Sequence, residues 1–346
     1  MKRSRFVSGV CAAAAAGPLA ALGDDANATP IDLVANAILA ANAHNTQPWR
    51  FKLTSNAIEV FPDFTRSLEA SDPFDRELYL GLGCAVENIL ISGQAGGYAT
   101  SLQISAGSLT NARTVSPGTP AARVDVRLRP GTASSTPLFD AIPKRHTNIF
   151  PFEIERRLPS DFVEAIGAFS TDVVHVFTFA DRQARETVAE VLDDAARIMY
   201  KDPAVLTALR KWIHTSDQDS GSRDGNVVPP GPQLTPGERI QTVPLVGLIC
   251  VKDRYDCVQT IAAGRIWERI NLLATIHGIA ARPENLTIQY IDWGIKNGET
   301  LDAEARLKAL GNMSEWNPAL VFCLGYPTAP SAPSERRPLE AVLISS

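Results

Sequence analysis

Cysteine, methionine and histidine are scarce in this chain of 346 residues, which holds five Cys, three Met and five His. No two cysteines form a C-x-x-C pair and no histidine stands at finger-like spacing from them, which argues against a structural zinc site; no metal ligand set is assigned. There is no G-x-x-x-x-G-K-[ST] loop and no G-x-S-x-G elbow, so P-loop and α/β-hydrolase chemistry are disfavoured. Gly81-Leu82-Gly83 begins like a dinucleotide fingerprint, but it lacks the third small residue and a preceding strand, and reads as close helix packing. An excess of positive charge is also missing. Against 33 Lys and Arg stand 38 Asp and Glu, for a net charge of -5, so no broad basic face for nucleic acid is expected. Past the N-terminus no apolar run approaches the ~20 residues of a membrane span, so no integral membrane segment is expected there.

What remains is ordinary globular material, 45% hydrophobic and 21% charged, long enough for about two domains of ~150 residues. The first 28 residues read as an export signal. Lys2, Arg3 and Arg5 form a cationic head, Phe6 to Leu22 is small and apolar, and Ala26-Asn27-Ala28 offers a cleavage site before Thr29. The head resembles a twin-arginine signal interrupted by Ser4, so the general export route stays open. The expected location is periplasmic, or cytoplasmic if the signal is unused. Ser8-Gly9-Val10 makes a poor lipobox before Cys11, and no lipid anchor is expected.

Thr29-Pro30 should open a helix, with Asp32 at the positive end of its dipole and Ile31, Val34, Ile38 and Leu39 on one apolar face. Pro48 breaks the chain, and 49–53 and 57–61 read as a hairpin around Ser55-Asn56. Residues 77–93 read as a buried helix, and 102–106 and 123–129 as strands. A soft boundary at 130–136 separates a first half, 29–133, from a second, 134–346. In the second half helices are expected near 138–142, 160–169, 182–200, 204–213 and 255–278, and strands at 173–179, 243–251 and 318–324. Residues 217–238 are rich in Gly and Pro and read as a lid or mobile loop. Cys250 and Cys323 lie in apolar strands and read as buried thiols, with disulfide pairing as the alternative; Cys84 and Cys257 are left open. Asp193-Asp194 reads as a solvated helix face, His214 and His277 as partners of helix C-termini, and Trp267 as core. Helices and strands mix without regular alternation, so the expected fold class is α+β.

Three polar stretches could carry chemistry. His44-Asn45-Thr46-Gln47-Pro48-Trp49 is a helix-to-strand turn whose amides could meet the polar edge of a flat heterocycle, or simply cap a turn over a core Trp. Lys144-Arg145-His146-Thr147-Asn148 is a donor cluster suited to phosphate, or a solvated basic loop. Ser334-Glu335-Arg336-Arg337 is a second basic point far along the chain.

Together, HNTQPWRF at 44–51, RHTN at 145–148, the helix around 263–280 and LGYP…RRPLEAV between 324 and 342 resemble the nitroreductase-like, FMN-binding flavoproteins, and within them the Acg-type branch. The resemblance implies two nitroreductase-like halves in one chain, acting as a monomeric pseudo-dimer. It implies FMN as cofactor, with Arg145, Arg336 and Arg337 toward the phosphate and His146, Thr147 and Asn148 along the ribityl chain and ring edge. Asn42, Asn45, Gln47 and Pro48 would reach the ring from the other half, and Pro283 and Asn285 would pass near flavin N5. No side chain is implied as catalyst; the flavin would pass electrons from a donor such as NAD(P)H to a nitroaromatic, quinone-like or other electron-poor small molecule. The alternative is a protein that stores FMN without turnover. Three departures from the family pattern stand out: Ile149 where a cation is usual, Ala41-Asn42 where Pro-Ser is common, and Ile288-Gln289-Tyr290 where the branch often has an acid.

Overall fold

Two four-stranded sheets, each with one 20-residue helix, organise the fold. The computed structural model describes residues 28–110, 118–128, 133–214, 224–227 and 234–345. The leader expected at 1–28 lies outside them except for Ala28, as does most of the expected lid. In chain order the first elements are α1 (Pro30–Ala37), β1 (Trp49–Leu53), β2 (Ala57–Pro62), α2 (Arg76–Ala95), β3 (Tyr98–Ile104) and β4 (Ala122–Leu128). Next come α3 (Pro137–Ala141), α4 (Ser160–Gly167), β5 (Val174–Phe179), α5 (Arg182–Met199), α6 (Pro203–Arg210), β6 (Ile213–His214), β7 (Asn226–Val227) and α7 (Pro236–Gln241). The chain closes with β8 (Leu245–Val251), α8 (Cys257–Ile276), β9 (Ala280–Pro283), α9 (Leu286–Asn297), α10 (Ala303–Ala309) and β10 (Asn317–Gly325).

The first sheet runs β1-β2-β4-β3 and the second β5-β8-β10-β9, every pair antiparallel. Apart from the short parallel β6–β7 pair, the two orders are the same: first, second, fourth, third. A 20-residue helix joins the second and third strands in each, α2 in one and α8 in the other. The class is α+β with the same topology laid down twice.

α2 and α8 pack on each other through glycine. Gly83 is the eighth residue of α2 and Gly264 the eighth of α8. A Cβ on Gly83 would collide with the Ile261 carbonyl oxygen, and one on Gly264 with that of Leu80. The sequence reading of Gly81-Leu82-Gly83 as close helix packing matches this. Glycine costs about 1 kcal/mol in a helix interior relative to alanine. Here that cost admits a backbone approach no other residue allows, and Cys84 Sγ donates to the Gly264 carbonyl at 3.2 Å. One hydrophobic core runs through the crossing and joins Trp49, Phe51 and Leu82 to Val174, Trp267 and Phe322. The C-terminal segment then returns to the first sheet: Phe51 N donates to Val342 O and Ile344 N to Phe51 O, both at 2.8 Å, which covers the β1 edge.

Several expectations change. Ile31 is 41% exposed, because α1 buries Leu33, Val34, Ala35 and Ala37 instead. β3 starts at Tyr98, four residues early, because Gly97 (φ 79°) turns the chain directly out of α2. α9 and α10 were not expected. The last residues of the expected lid are not loop: Thr235 and Glu238 form a capping box on α7, and Gly237 N donates to Asp193 Oδ1 at 2.9 Å. Asp193 is exposed, as expected of a solvated helix face, and it also seats the start of α7. His214 sits in β6 rather than at a helix end. Cys84, Cys250, Cys257 and Cys323 are all free and buried.

Gly264→Ala should cost about 1–3 kcal/mol in urea unfolding and Gly264→Val more, since the Leu80 carbonyl cannot retreat without parting the helices. An unchanged urea midpoint for both would show that the crossing is not tight.

Candidate functional site

The turn after α1 is unusual backbone. His44, Asn45 and Gln47 all have positive φ, at 47°, 52° and 50°. Each such non-glycine residue costs about 1–2 kcal/mol, so the surroundings must hold them. They do so through side chains. Asn42 Oδ1 accepts Gln47 N at 2.8 Å, and Asn42 Nδ2 donates to Ala40 O at 3.1 Å. Asn45 Nδ2 donates to Glu335 O at 3.1 Å, and its Oδ1 accepts from Arg336 Nη1 at 2.8 Å. Gln47 Oε1 accepts Arg337 N at 2.7 Å. Pro48 and Trp49 are buried behind it. Burial lowers the His44 pKa to about 4, so the ring is neutral at pH 7. Asn226 Nδ2 faces its Nδ1 at 3.4 Å; an amide NH2 only donates, so the ring proton belongs on Nε2.

The tail that holds this turn also brings two arginines together. Arg336 Nε donates to Ile38 O at 2.8 Å, and its Nη2 reaches Leu39 O and Ala40 O at 3.4 and 3.3 Å. Arg145 Nη2 donates to the same Leu39 O at 3.0 Å. Both guanidinium groups thus cap the partially negative end of α1. Burial, and then Arg145, press the Arg336 pKa down to about 9. Beside them Glu268 of α8 is fully buried. Its Oε2 accepts Ala41 N at 3.0 Å, and its Oε1 lies 3.5 Å from Arg145 Nε. Burial raises the Glu268 pKa, and Arg145 opposes that rise. Arg145 is only 6% exposed, yet its Nε and Nη1 have no hydrogen-bond acceptor. Two buried charged donors without acceptors are costly, and an anionic group is what would satisfy them.

The rest of the donor cluster lies alongside β9. Thr147 bridges to Ala281, and Asn148 N donates to Ala281 O at 3.0 Å. Asn148 is buried and closes a small loop on Phe150, while His146 and Thr147 are exposed. Ile149, where the family pattern has a cation, is 52% exposed. Pro283 ends β9, half-buried. Arg337 donates to Ala341 O at 2.8 Å, and its Nη1 has no acceptor. The structure therefore connects 42–48, 145–148, Ala281 and 336–337 through direct contacts.

Asn285 is tied elsewhere. Its Nδ2 donates to Glu77 Oε1 at 2.7 Å, at the edge of a buried ionic cluster the sequence did not suggest. Arg76, with no exposed surface, donates to Asp292 at 2.7 Å. Tyr255 donates to Asp292 at 2.6 Å, and Arg254 donates to Glu304 at 2.5 Å. Asp72 Oδ2 accepts the N–H groups of Glu77 and Leu78 at 2.9 and 3.3 Å. Charges at the mouth of an apolar helix, Arg76-Glu77, and Asp292 within an apolar run were the available signals.

Sequence comparison finds two proteins of Mycobacterium tuberculosis (strains CDC 1551 and H37Rv), each provisionally named an NAD(P)H nitroreductase, at 36% identity over 56 residues. That stretch is 16% of this chain and 16% of each relative's own length. No protein-family profile matches the chain. Among solved structures, a nitroreductase with bound FMN from Desulfitobacterium hafniense is 13% identical with a TM-score of 0.41, covering 61% of this chain and 99% of that one. The FMN-dependent nitroreductase NfnB of Mycobacterium smegmatis, in complex with NADPH, is 17% identical with a TM-score of 0.37, covering 56% and 88%.

Burial, followed by Glu77, raises the Asp72 pKa well above the usual carboxylate range. The native state therefore favours the protonated acid, and this contribution to stability is present below about pH 4 and lost as pH rises through the native pKa. Asp72→Asn keeps an acceptor for Glu77 N and Leu78 N. It should flatten the fall in stability between about pH 4 and 7 and gain about 1 kcal/mol or more at pH 7, read by urea unfolding across that range. A steeper fall in the variant than in wild type would contradict the account.

Proposed function

We propose that this chain is a nitroreductase-like, FMN-dependent oxidoreductase of the Acg-type branch, in which residues 29–133 and 134–346 act as an internal pseudo-dimer in a monomer. The observation that carries this reading is that Arg145 and Arg336 meet on the Leu39 carbonyl while two buried Arg145 donors stay without an acceptor. The residues fit a phosphate end in donor chemistry and charge. The repeated strand order around α2 and α8 supports the pseudo-dimer, and the partial match to proteins named NAD(P)H nitroreductases supports NAD(P)H as donor.

On this reading Arg145 and Arg336 hold the phosphate, Arg337 follows them in the tail, and His146, Thr147 and Asn148 follow the ribityl chain. Asn42, Asn45, Gln47 and Pro48 face the ring from the first half and Pro283 passes near its reacting edge, whereas Asn285 is engaged by Glu77. When bound, FMN supplies hydride chemistry at N5; the chain's own part is to position it and limit water. The acceptor is a nitroaromatic, quinone-like or other electron-poor small molecule, and the loop between 217 and 238 restricts its access. Gly225 N donates to Asn45 O at 3.3 Å, so the described residues of that segment meet the turn. Residues 1–28 would direct export to the periplasm, by the twin-arginine or the general route. Exposed Ile149, in place of a cation, favours the second reading, FMN storage without turnover.

Purified protein should be yellow and release FMN on denaturation. Arg145→Ala should weaken FMN binding about ten- to a hundredfold, or about 1.5–3 kcal/mol. Anaerobic bleaching by NAD(P)H and reoxidation by a nitroaromatic support the enzyme; bound flavin that never bleaches supports storage. A colourless chain that cannot be reconstituted with FMN removes both.

A further inference from the structure

Glu268 has a counterpart in the repeated topology. It is the twelfth residue of α8, and Glu87 is the twelfth of α2; both are fully buried. Their surroundings differ. Glu87 is saturated, with Oε2 accepting Arg265 Nε at 2.7 Å and Oε1 accepting Arg269 Nε at 2.5 Å. Glu268 Oε2 accepts Ala41 N at 3.0 Å and the Asn88 side chain also hydrogen-bonds the carboxylate, while Oε1 has no hydrogen-bond partner and lies 3.5 Å from orphaned Arg145 Nε. At one position a buried carboxylate is fully paired. At the other, a carboxylate and a guanidinium face each other without closing the bond.

We propose that Glu268 is a positioning residue that holds Arg145 while the anion site is empty and takes up a proton when a phosphate monoester binds there. The inference rests on reading Arg145 and Arg336 as the phosphate-holding pair. The charges decide the direction. Arg145, Arg336 and ionised Glu268 sum to one positive charge, and a phosphate monoester carries about -1.5 to -2 at neutral pH. Binding a dianion beside ionised Glu268 would leave a net negative charge where water is excluded; protonating Glu268 makes the cluster neutral. The groups facing Glu268 are Arg145 after α3, Arg336 of the tail, the Ala41 N–H after α1, and Asn88 and the Cys84 thiol of α2. None of them except Arg336 offers another proton acceptor near neutral pH. The proton goes from buffer to Glu268 Oε1, whose contact with Arg145 Nε gives way to the phosphate oxygen.

The test is calorimetric titration of FMN into the full chain freed of flavin, at about pH 7.5, in buffers of different ionisation enthalpy. Wild type should take up close to one proton per FMN, and its affinity should weaken by up to about tenfold per pH unit above neutrality. Riboflavin, which lacks the phosphate, should bind without uptake. Glu268→Gln should bind FMN with no uptake and with an affinity flat in pH. FMN binding to wild type without proton uptake overturns this proposal and leaves the flavin reading standing; failure to bind FMN overturns both. Uptake that persists in Glu268→Gln places the proton on the phosphate itself or on Arg336, the latter if it grows only toward about pH 9, and also overturns it. Should the variant fail to fold, the wild-type pH course and the riboflavin comparison still decide.

Discussion

The backbone contact of Gly83 with Gly264 sets the distance between the two halves, and the site follows from it. With the helices this close, side chains one turn further along reach past the crossing rather than filling it. Glu87 of α2 reaches Arg265 and Arg269 of α8. Glu268 of α8 reaches the Ala41 N–H and Arg145, beyond α2. Larger residues at the crossing would push the helices apart, and these carboxylates would face each other's backbones instead of their arginines. The buried charge of the interface is thus organised by two residues that have no side chain.

The tail is the second constraint. Arg336 and Arg337 satisfy carbonyls at the end of α1 and amides of a turn that holds three non-glycine residues at positive φ. Neither the turn nor the arginines would be stable alone. The turn carries backbone strain, and a half-buried guanidinium with its pKa held down needs every acceptor it can find. The strands that complete the tail beside β1 add their hydrogen bonds to the same closure. The first half is therefore finished by residues from the far end of the chain, whose contacts hold the turn in shape.

Much of this was readable from sequence where the signal was local. The central helices, β1, β2, β5, β8 and β10 follow from apolar runs and turn residues, and Gly83 was recognisable as a packing glycine. The polar stretches that now touch were recognisable as donors in a fixed order. What sequence could not give was how donors are divided between protein and ligand. Asn45 and Gln47 read as free amides, yet their side chains are taken up by the tail, because a tail some 290 residues away in sequence leaves no local trace. Nothing local in the sequence marks Glu268 out; its importance comes from burial, which spacing in a weakly amphipathic helix does not reveal. The Asp72, Glu77 and Asp292 cluster was missed for the same reason. α9 leaves a weak sequence signal because it buries Thr287, Gln289 and Asp292 beside Ile288, Tyr290 and Ile291, which blurs its helical periodicity.

A duplicated topology offers two equivalent places for any group bound between the halves, and the chain treats them differently. Beside α2 both carboxylate oxygens are paired, each accepting the Nε of a partly exposed arginine from α8. Beside α8 the arginines come from outside both helices, one after α3 and one from the tail. One of them gives most of its donors to backbone and the other keeps two unused. A protein selected only for stability would close that pair as it closes the first, because an unpaired buried donor costs about 1–3 kcal/mol. That it stays open on one side alone is the physical asymmetry between two otherwise equivalent helix positions.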